Sequence, residues 1–148
     1  MSRILGQIHG PSDCGVVSSK SFSCNMNMYM ESLQYNSCLN RKLSIDTNGD
    51  IKNCPSMTKK FGNIRTTLLK DVLNNPTFRD LWQITKDMIS VCKDCEFRSV
   101  CTDCRAYLQD PGNTYSKPLK CGYDPYQCTW EPWAQNKENN YAISYYSI

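Results

Sequence analysis

Residues Val91–Arg105 read V-C-K-D-C-E-F-R-S-V-C-T-D-C-R, and this stretch decides how the rest of the chain is organised. It spaces Cys92, Cys95, Cys101 and Cys104 in a C-x2-C-x5-C-x2-C pattern. Thiols this close in sequence do not make a framework of well-spaced disulfides, whereas each C-x2-C pair can direct both sulfurs toward one point. The stretch therefore predicts a metal or cluster site, which the other six of the ten cysteines are available to complete.

Composition narrows the class of protein. The 148 residues are enough for one domain with its own core, and the mean hydropathy is −0.56. A net charge of +3 without a Lys/Arg cluster gives no basis for a nucleic-acid partner. We find neither a membrane-spanning apolar run nor a signal-peptide pattern, so we expect a cytoplasmic protein without a membrane partner.

A reducing compartment favours thiols that bind metals over thiols that form disulfides. The only histidine, His9, is far from the central cysteines in sequence, and we expect it to be solvated near a mobile terminus. Any metal site should therefore have thiolate ligands only.

Lys42–Cys54 carries the clearest local signal. Apolar residues alternate with polar ones on both sides of Asn48-Gly49, which predicts a β-hairpin with a type I′ turn and positive φ at both central residues. Such a hairpin would bring Cys38 and Cys54 toward each other.

Helical structure is predicted at four places. The first is Phe22–Leu33, where the apolar residues fall on one helical face. This face includes a Met-rich run that we expect to pack in the core. A short helix is predicted over Thr66–Leu73. Asn75-Pro76 is typical of an N-cap followed by proline, so a helix should run from Pro76 to about Met88 and enter the four-cysteine stretch. Arg105–Leu108 should continue as a helical turn.

These elements predict a small, irregular α+β domain with one β-hairpin, two or three short helices and long loops that carry the cysteines. The C-terminal aromatic residues, such as Trp130, Trp133 and Tyr146, are expected to pack on this domain.

The order C-x10-G-x4-C from Cys38 through Gly49 to Cys54, then C-x2-C-x5-C-x2-C, then Cys121, resembles the SPASM domain over roughly residues 37–122. SPASM domains are the C-terminal auxiliary-cluster modules of many radical-SAM peptide-modifying enzymes. In the family pattern, three residues separate the last two cysteines of the four-cysteine stretch, whereas two residues separate Cys101 and Cys104 in this chain.

Several segments, including N-S-C-L-N-R-K, I-K-N-C-P-S-M and K-C-G-Y-D-P-Y, are similar to grasp-with-SPASM peptide maturases. Those enzymes are encoded with an ATP-grasp ligase and a precursor peptide. The resemblance therefore implies a precursor-peptide substrate, with the ligase and an electron donor as further partners.

The resemblance also implies two [4Fe-4S] clusters and their ligands. The outer cluster would be held by Cys92, Cys95, Cys101 and Cys121. The inner cluster would be held by Cys38, Cys54, Cys104 and a fourth thiolate, for which we choose Cys14 with Cys24 as the alternative. The unused one of these two, together with Cys128, should be a buried free thiol.

The expected organisation has three parts: an N-terminal segment at residues 1–36 that is a remnant of, or linker to, an upstream domain; a SPASM-like domain at 37–128; and an aromatic tail at 129–148. No three cysteines have the C-x3-C-x2-C spacing that cleaves S-adenosylmethionine, and the chain is too short for the barrel that would hold it. We therefore expect no catalytic residue in this chain, which would be part of a longer maturase or a free-standing module.

Two functions remain open. One is a redox and substrate-positioning module with iron-sulfur clusters, whose potentials Asp94, Glu96, Arg98 and Arg105 would tune. The other is an all-cysteine zinc module that recruits a precursor peptide or a partner ligase. The remaining carboxylates, such as Asp103, are expected to be solvated.

Overall fold

The chain forms a small α+β domain, as predicted. The structure is a computed structural model that describes residues 14–148, so His9 lies outside the described residues. The α-helices are α1 (Met26–Ser32), α2 (Leu69–Asn74), α3 (Pro76–Arg79) and α4 (Asn140–Tyr146). The strands form two antiparallel pairs, β1 (Ser44–Ile45) with β2 (Ile51–Lys52) and β3 (Tyr123–Asp124) with β4 (Thr129–Trp130). Short 3-10 helices occupy Ser19–Ser21, Asp80–Gln83, Lys86–Met88, Cys92–Asp94, Trp133–Gln135 and Lys137–Asn139.

The predicted hairpin is confirmed, but the predicted type I′ turn is wrong. Within the turn only Gly49 has a positive φ, of 83°, and its N–H donates to the Asp46 carbonyl at 2.9 Å. This is a longer loop in which a single left-handed glycine closes the turn. The Asp46 carboxylate accepts from the N–H groups of Asn48 at 2.9 Å and Asp50 at 3.0 Å, and it thereby fixes the turn without a second left-handed residue.

The helix predicted from Pro76 to Met88 starts as expected but is interrupted. Asn75 caps it, since its Oδ1 accepts from the Thr77 N–H at 3.0 Å. Beyond Arg79 the chain continues as two 3-10 segments, separated by extended backbone at Ile84 and Thr85. Two consecutive β-branched residues disfavour a continuous helix, and the break turns the following Lys86 into the interior.

Two other local predictions are wrong. The Met-rich run does not fill the core, because α1 buries only Ser32 and leaves Met26 and Met30 exposed. Residues 105–108 do not form a helical turn. Their backbone instead pairs with the segment that follows: Leu108 bridges to Pro118, and the Leu119 N–H donates to the Tyr107 carbonyl at 3.0 Å.

The apolar interior is divided into three small groups rather than one core. One contains Cys104, Tyr107, Leu119 and Ala142; a second contains Ile51, Val72 and Phe78; a third contains Ile84, Ile89 and Cys92. Two of the three groups thus include a cysteine that was predicted to be a ligand, so the core and the site share residues.

The C-terminal segment packs on the domain, as predicted. Ala142 of α4 is fully buried, and the Tyr146 ring meets the Tyr107 ring edge to face at 5.3 Å. The Tyr146 hydroxyl also accepts from the Leu108 N–H at 3.2 Å. None of the helices in residues 14–148 is long and apolar enough to cross a membrane.

Phe78 anchors the group beneath the first hairpin, and its truncation should be costly. Its side chain is completely buried and meets the rings of Phe61 at 4.9 Å and Trp82 at 5.7 Å. Phe78→Ala should lower the free energy of unfolding by about 3–5 kcal/mol, as measured by chemical denaturation. Tyr141→Ala, which truncates an exposed ring, is the matched control and should change it by less than about 0.5 kcal/mol. Equal effects of the two changes would contradict this description of the core.

Candidate metal centres

Four of the predicted ligands come together although they belong to four separate stretches of chain. The Cys54 thiol lies near the Cys14 thiol, and Cys38 lies near both Cys54 and Cys104, close enough for their charges to interact. Cys14 also packs against the core group that contains Cys104. We call Cys14, Cys38, Cys54 and Cys104 the inner set.

The first hairpin and its flanking turns position two members of the inner set. The Asn36 side-chain oxygen accepts from the Cys38 N–H at 3.1 Å and so fixes the turn before β1. The Cys54 carbonyl accepts from the Met57 N–H at 3.0 Å in the turn after β2. Cys38 and Cys54 lie close enough to interact electrostatically, in agreement with the approach that the hairpin predicted.

Cys14 is held by contacts with distant parts of the chain. The Lys120 ammonium donates to the Cys14 carbonyl at 2.8 Å, and the Ser56 hydroxyl lies 3.4 Å from the Cys14 sulfur. The next residue, Gly15, has a φ of 78°, and a Cβ at that position would lie 2.8 Å from the Cys104 sulfur. Only glycine therefore permits this close approach of residues 14–15 to Cys104.

The four other predicted ligands line one small cavity, and we call them the outer set: Cys92, Cys95, Cys101 and Cys121. The 3-10 helix Cys92–Asp94 leads into Cys95, whose N–H donates to the Cys92 carbonyl at 3.1 Å. Cys121 comes from a distant loop, and it forms a parallel bridge with Val17. Because Val17 follows Cys14 by three residues, this bridge links the two sets through the backbone.

Aromatic rings form a wall of the outer cavity. Phe22, Phe97, Tyr123 and Trp130 all line it, and the Tyr123 ring centroid lies 5.0 Å from Phe97 and 4.8 Å from Trp130. Tyr123 and Trp130 belong to the second hairpin, which the sequence patterns did not predict. This hairpin therefore contributes an apolar wall to the outer set.

The remaining two cysteines are exposed, so the prediction of buried free thiols is wrong for Cys24 and Cys128. Cys24 lies just before α1, and Cys128 has a positive φ of 55° in the turn of the second hairpin. Neither lies with the inner or the outer set. The structure thus brings Cys14, rather than Cys24, to Cys38, Cys54 and Cys104, although its role as the fourth ligand stays a prediction.

A buried charge network lies between the two sets, and it shows that the expectation of a solvated Asp103 is wrong. Asp103 is 2% exposed; its Oδ1 accepts from the Lys86 ammonium at 3.0 Å and the Arg105 guanidinium at 2.7 Å. Its Oδ2 accepts from the Asn36 amide at 2.6 Å. Since Asp103 directly precedes Cys104 and follows Cys101 by two residues, the network connects the sequence neighbours of both sets.

The other charged residues proposed to tune the site lie at its surface. Arg98 lines the outer cavity, is exposed, and pairs with Asp87 at 3.3 Å. Glu96 accepts a short hydrogen bond from the Tyr123 hydroxyl, and Asp94 accepts from the Tyr126 hydroxyl at 2.7 Å. Both acidic residues therefore tie the four-cysteine stretch to the second hairpin.

Burial controls the protonation of the thiols. It raises the pKa of Cys38 and of Cys92 to about 11, and that of Cys101 to about 12. Burial likewise raises the pKa of Cys54 and Cys104. In the metal-free chain these thiols are protonated at neutral pH, so a metal that binds them as thiolates must displace their protons.

The donor chemistry of the two sets fits iron-sulfur clusters. Each set supplies four thiols and no other ligand type, as [4Fe-4S] clusters require. Within residues 14–148, no three His, Cys, Asp or Glu side chains converge tightly enough to hold a single metal ion. The number and type of ligands in each set, four thiols, are those of a [4Fe-4S] cluster.

Comparison with known families agrees with this chemistry. Residues 37–96 match the SPASM family, which is described as an iron-sulfur cluster-binding domain. No curated protein and no solved structure matches the chain. The predicted resemblance to the SPASM domain is thus confirmed for residues 37–96, and it supports iron-sulfur binding by this part of the chain.

The sequence did not reveal Lys86 as a residue of the site. It precedes the four-cysteine stretch by several residues and sits in an ordinary T-K-D-M context, which gave no sign that the ammonium is buried. The one sequence feature that could have predicted its burial is the β-branched pair Ile84-Thr85, because such a pair disfavours a continuous helix, and the resulting break turns Lys86 inward.

Alkylation of the metal-free chain should follow this burial pattern. At pH 7 iodoacetamide should modify the exposed Cys24 and Cys128 first. Cys92 should react slowly, because a pKa raised from 9.0 to about 11 leaves about a hundredfold less thiolate at neutral pH. Cys101 should react more slowly still, because its pKa is raised to about 12. Their modification should accelerate about tenfold per pH unit between pH 7 and 10, as measured by peptide mass spectrometry.

The denatured chain is the control, and there all ten cysteines should react at similar rates. Modification of Cys92 as fast as that of Cys24 at pH 7 in the folded chain would contradict the described burial.

Proposed function

We propose that this chain is an auxiliary module of a peptide maturase and holds two [4Fe-4S] clusters, one on each set of cysteines. The observation that carries the proposal is the sorting of eight cysteines into two sets of four, which agrees with the SPASM match over residues 37–96. When bound, such clusters supply one-electron transfer. The ligands of the inner cluster would be Cys14, Cys38, Cys54 and Cys104, and those of the outer cluster Cys92, Cys95, Cys101 and Cys121.

The two sets suit different tasks within that function. The outer set lies in a small, ring-walled cavity, and an apolar shell of this kind limits the access of water to a cluster. This favours a role in electron transfer rather than in binding a substrate. An external electron donor would then exchange electrons with the outer cluster.

The inner set borders a wider opening. A groove of about 900 Å³ begins at Cys14 and is lined by the Pro55–Lys59 loop and by Tyr145 and Tyr146. A groove of this size accommodates a peptide segment, and aromatic side chains with two rotatable angles are efficient peptide contacts. We infer that the precursor peptide is positioned here, next to the inner cluster.

We propose the subfamily on sequence resemblance alone. The segments around Cys38, Cys54 and Cys121 are similar to grasp-with-SPASM maturases, which makes an ATP-grasp ligase a further proposed partner. The cleavage of S-adenosylmethionine would be performed by a separate radical-SAM domain. A reducing, cytoplasmic compartment suits thiolate-bound clusters.

Metal analysis of the anaerobically purified chain tests the proposal. It should contain about eight iron and eight sulfide per chain, with a broad visible absorption that bleaches with dithionite. Cys54→Ala and Cys121→Ala should each reduce the iron to about four, because each removes a ligand of one set. Cys24→Ser and Cys128→Ser are the matched controls and should retain about eight iron, since these exposed thiols belong to neither set. Stoichiometric zinc without visible absorption would instead identify a structural zinc module.

Gly15→Ala should remove the inner cluster selectively. The added Cβ would lie 2.8 Å from the Cys104 sulfur and 3.1 Å from the Tyr107 ring, at a φ of 78° that an L side chain rarely adopts. We expect the iron content to fall from about eight to about four per chain while the outer cluster remains. Gly112→Ala is the matched control, because its Cβ would meet only Asp110 at 3.5 Å. Full iron content in Gly15→Ala would argue against Cys14 as a ligand.

A further inference from the structure

Lys86 is a buried cation on the wall of the outer cavity. Its side chain is 7% exposed, and it lines the same cavity as the four cysteines of the outer set. Its position follows from the break at Ile84-Thr85, which orients the 3-10 helix Lys86–Met88 so that the lysine enters the interior. A lysine is rarely buried to this extent unless it is paired or functional.

Asp103 keeps Lys86 charged. Burial alone would lower the pKa of Lys86, but the Asp103 carboxylate, 3.0 Å from the ammonium, raises it well above its usual range. The ammonium is therefore charged at neutral pH, and its burial leaves the charge weakly screened by solvent.

The pairing of Asp103 does not require Lys86. Arg105 already donates to the same carboxylate oxygen at 2.7 Å, and Asn36 satisfies the other oxygen at 2.6 Å. Two cations and one anion leave one net positive charge within the network. A lysine that served only to neutralise Asp103 would be redundant with Arg105, so the location of Lys86 beside the outer set points to a further role.

We propose that Lys86 is a fixed positive charge that raises the reduction potential of the cluster held by the outer set. The inference rests on the proposed function, because it requires a cluster on these cysteines. A cluster with four thiolates gains negative charge on reduction, and a cation nearby stabilises the reduced state more than the oxidised one. The aromatic wall strengthens the effect, because the buried Tyr123 ring occupies space that screening water would otherwise fill.

Lys86 would act through its charge and not as a ligand or a catalytic residue. The test is therefore a measurement of the reduction potential of the outer cluster. The full chain is purified anaerobically, and both clusters are titrated with dithionite while their reduced states are followed by electron paramagnetic resonance. The outer signal is assigned as the one lost in Cys92→Ala. In Lys86→Met the outer cluster should become at least tenfold harder to reduce, a fall of about 59 mV for a one-electron couple.

The matched control is Lys93→Met, which removes the same charge from an exposed lysine directly after Cys92. It should change the reduction equilibrium less than threefold, because solvent screens that charge. Lys86→Arg keeps the cation and should also stay within threefold of the unchanged chain. The inner cluster should shift less than the outer cluster in all three variants, because Lys86 lines the outer cavity and does not line the groove at Cys14.

The outcomes separate the two proposals. Absence of iron-sulfur clusters from the unchanged chain would overturn the proposed function itself. Equal shifts of the outer potential in Lys86→Met and Lys93→Met, with both clusters present, would overturn only the role of Lys86. If Lys86→Met fails to load iron, Lys86→Gln is used instead, because its uncharged amide can still donate a hydrogen bond to Asp103. A change of less than tenfold in the reduction equilibrium of its outer cluster would overturn the role of Lys86.

Discussion

The carboxylate of Asp103 holds the structure together at its centre. It accepts hydrogen bonds from Asn36, Lys86 and Arg105, which come from the loop before the first hairpin, the segment before the four-cysteine stretch, and the stretch itself. A buried carboxylate without hydrogen-bond donors is strongly disfavoured. Separation of these three segments would leave the Asp103 carboxylate without its donors and is therefore costly. Because Asp103 lies between Cys101 of the outer set and Cys104 of the inner set, its position also fixes the spacing of the two sets.

The apolar interior alone is a weak basis for this fold. Three small buried groups replace a continuous core, and two of them include cysteines of the sets. Under the proposed function each cluster would join distant parts of the chain, from Cys14 to Cys104 and from Cys92 to Cys121. Metal binding that gathers such ligands contributes directly to folding free energy, as in other small metal-dependent domains. The parallel bridge between Val17 and Cys121 then connects the two cross-linked regions through the backbone.

Local sequence signals predicted local structure well and tertiary placement poorly. Asn48-Gly49 predicted the first hairpin because turn chemistry acts over a few residues, although a single left-handed glycine sufficed where two such residues were expected. The membership of the two cysteine sets came from the resemblance to the SPASM domain, and the structure brings those residues together. Burial of Lys86 and Asp103 could not be predicted, because their pairing spans 17 residues and depends on a helix break. The second hairpin was missed because its turn, between Asp124 and Thr129, lacks an Asn-Gly or Asp-Gly signal.

The two sets have the same ligand chemistry but different surroundings, and the surroundings decide what each can do. The outer set lies in a small cavity with an aromatic wall and a buried ammonium, and under the proposed function these surroundings would limit access by water and stabilise added negative charge. The inner set borders a groove wide enough for a peptide segment, and its closest fixed contact, from Lys120 to the Cys14 carbonyl, holds the backbone of Cys14. The short Cys101–Cys104 segment spans both environments. Under the proposed function, an electron accepted at the outer set would therefore have a short path to the inner set along the segment that the Asp103 network holds in place.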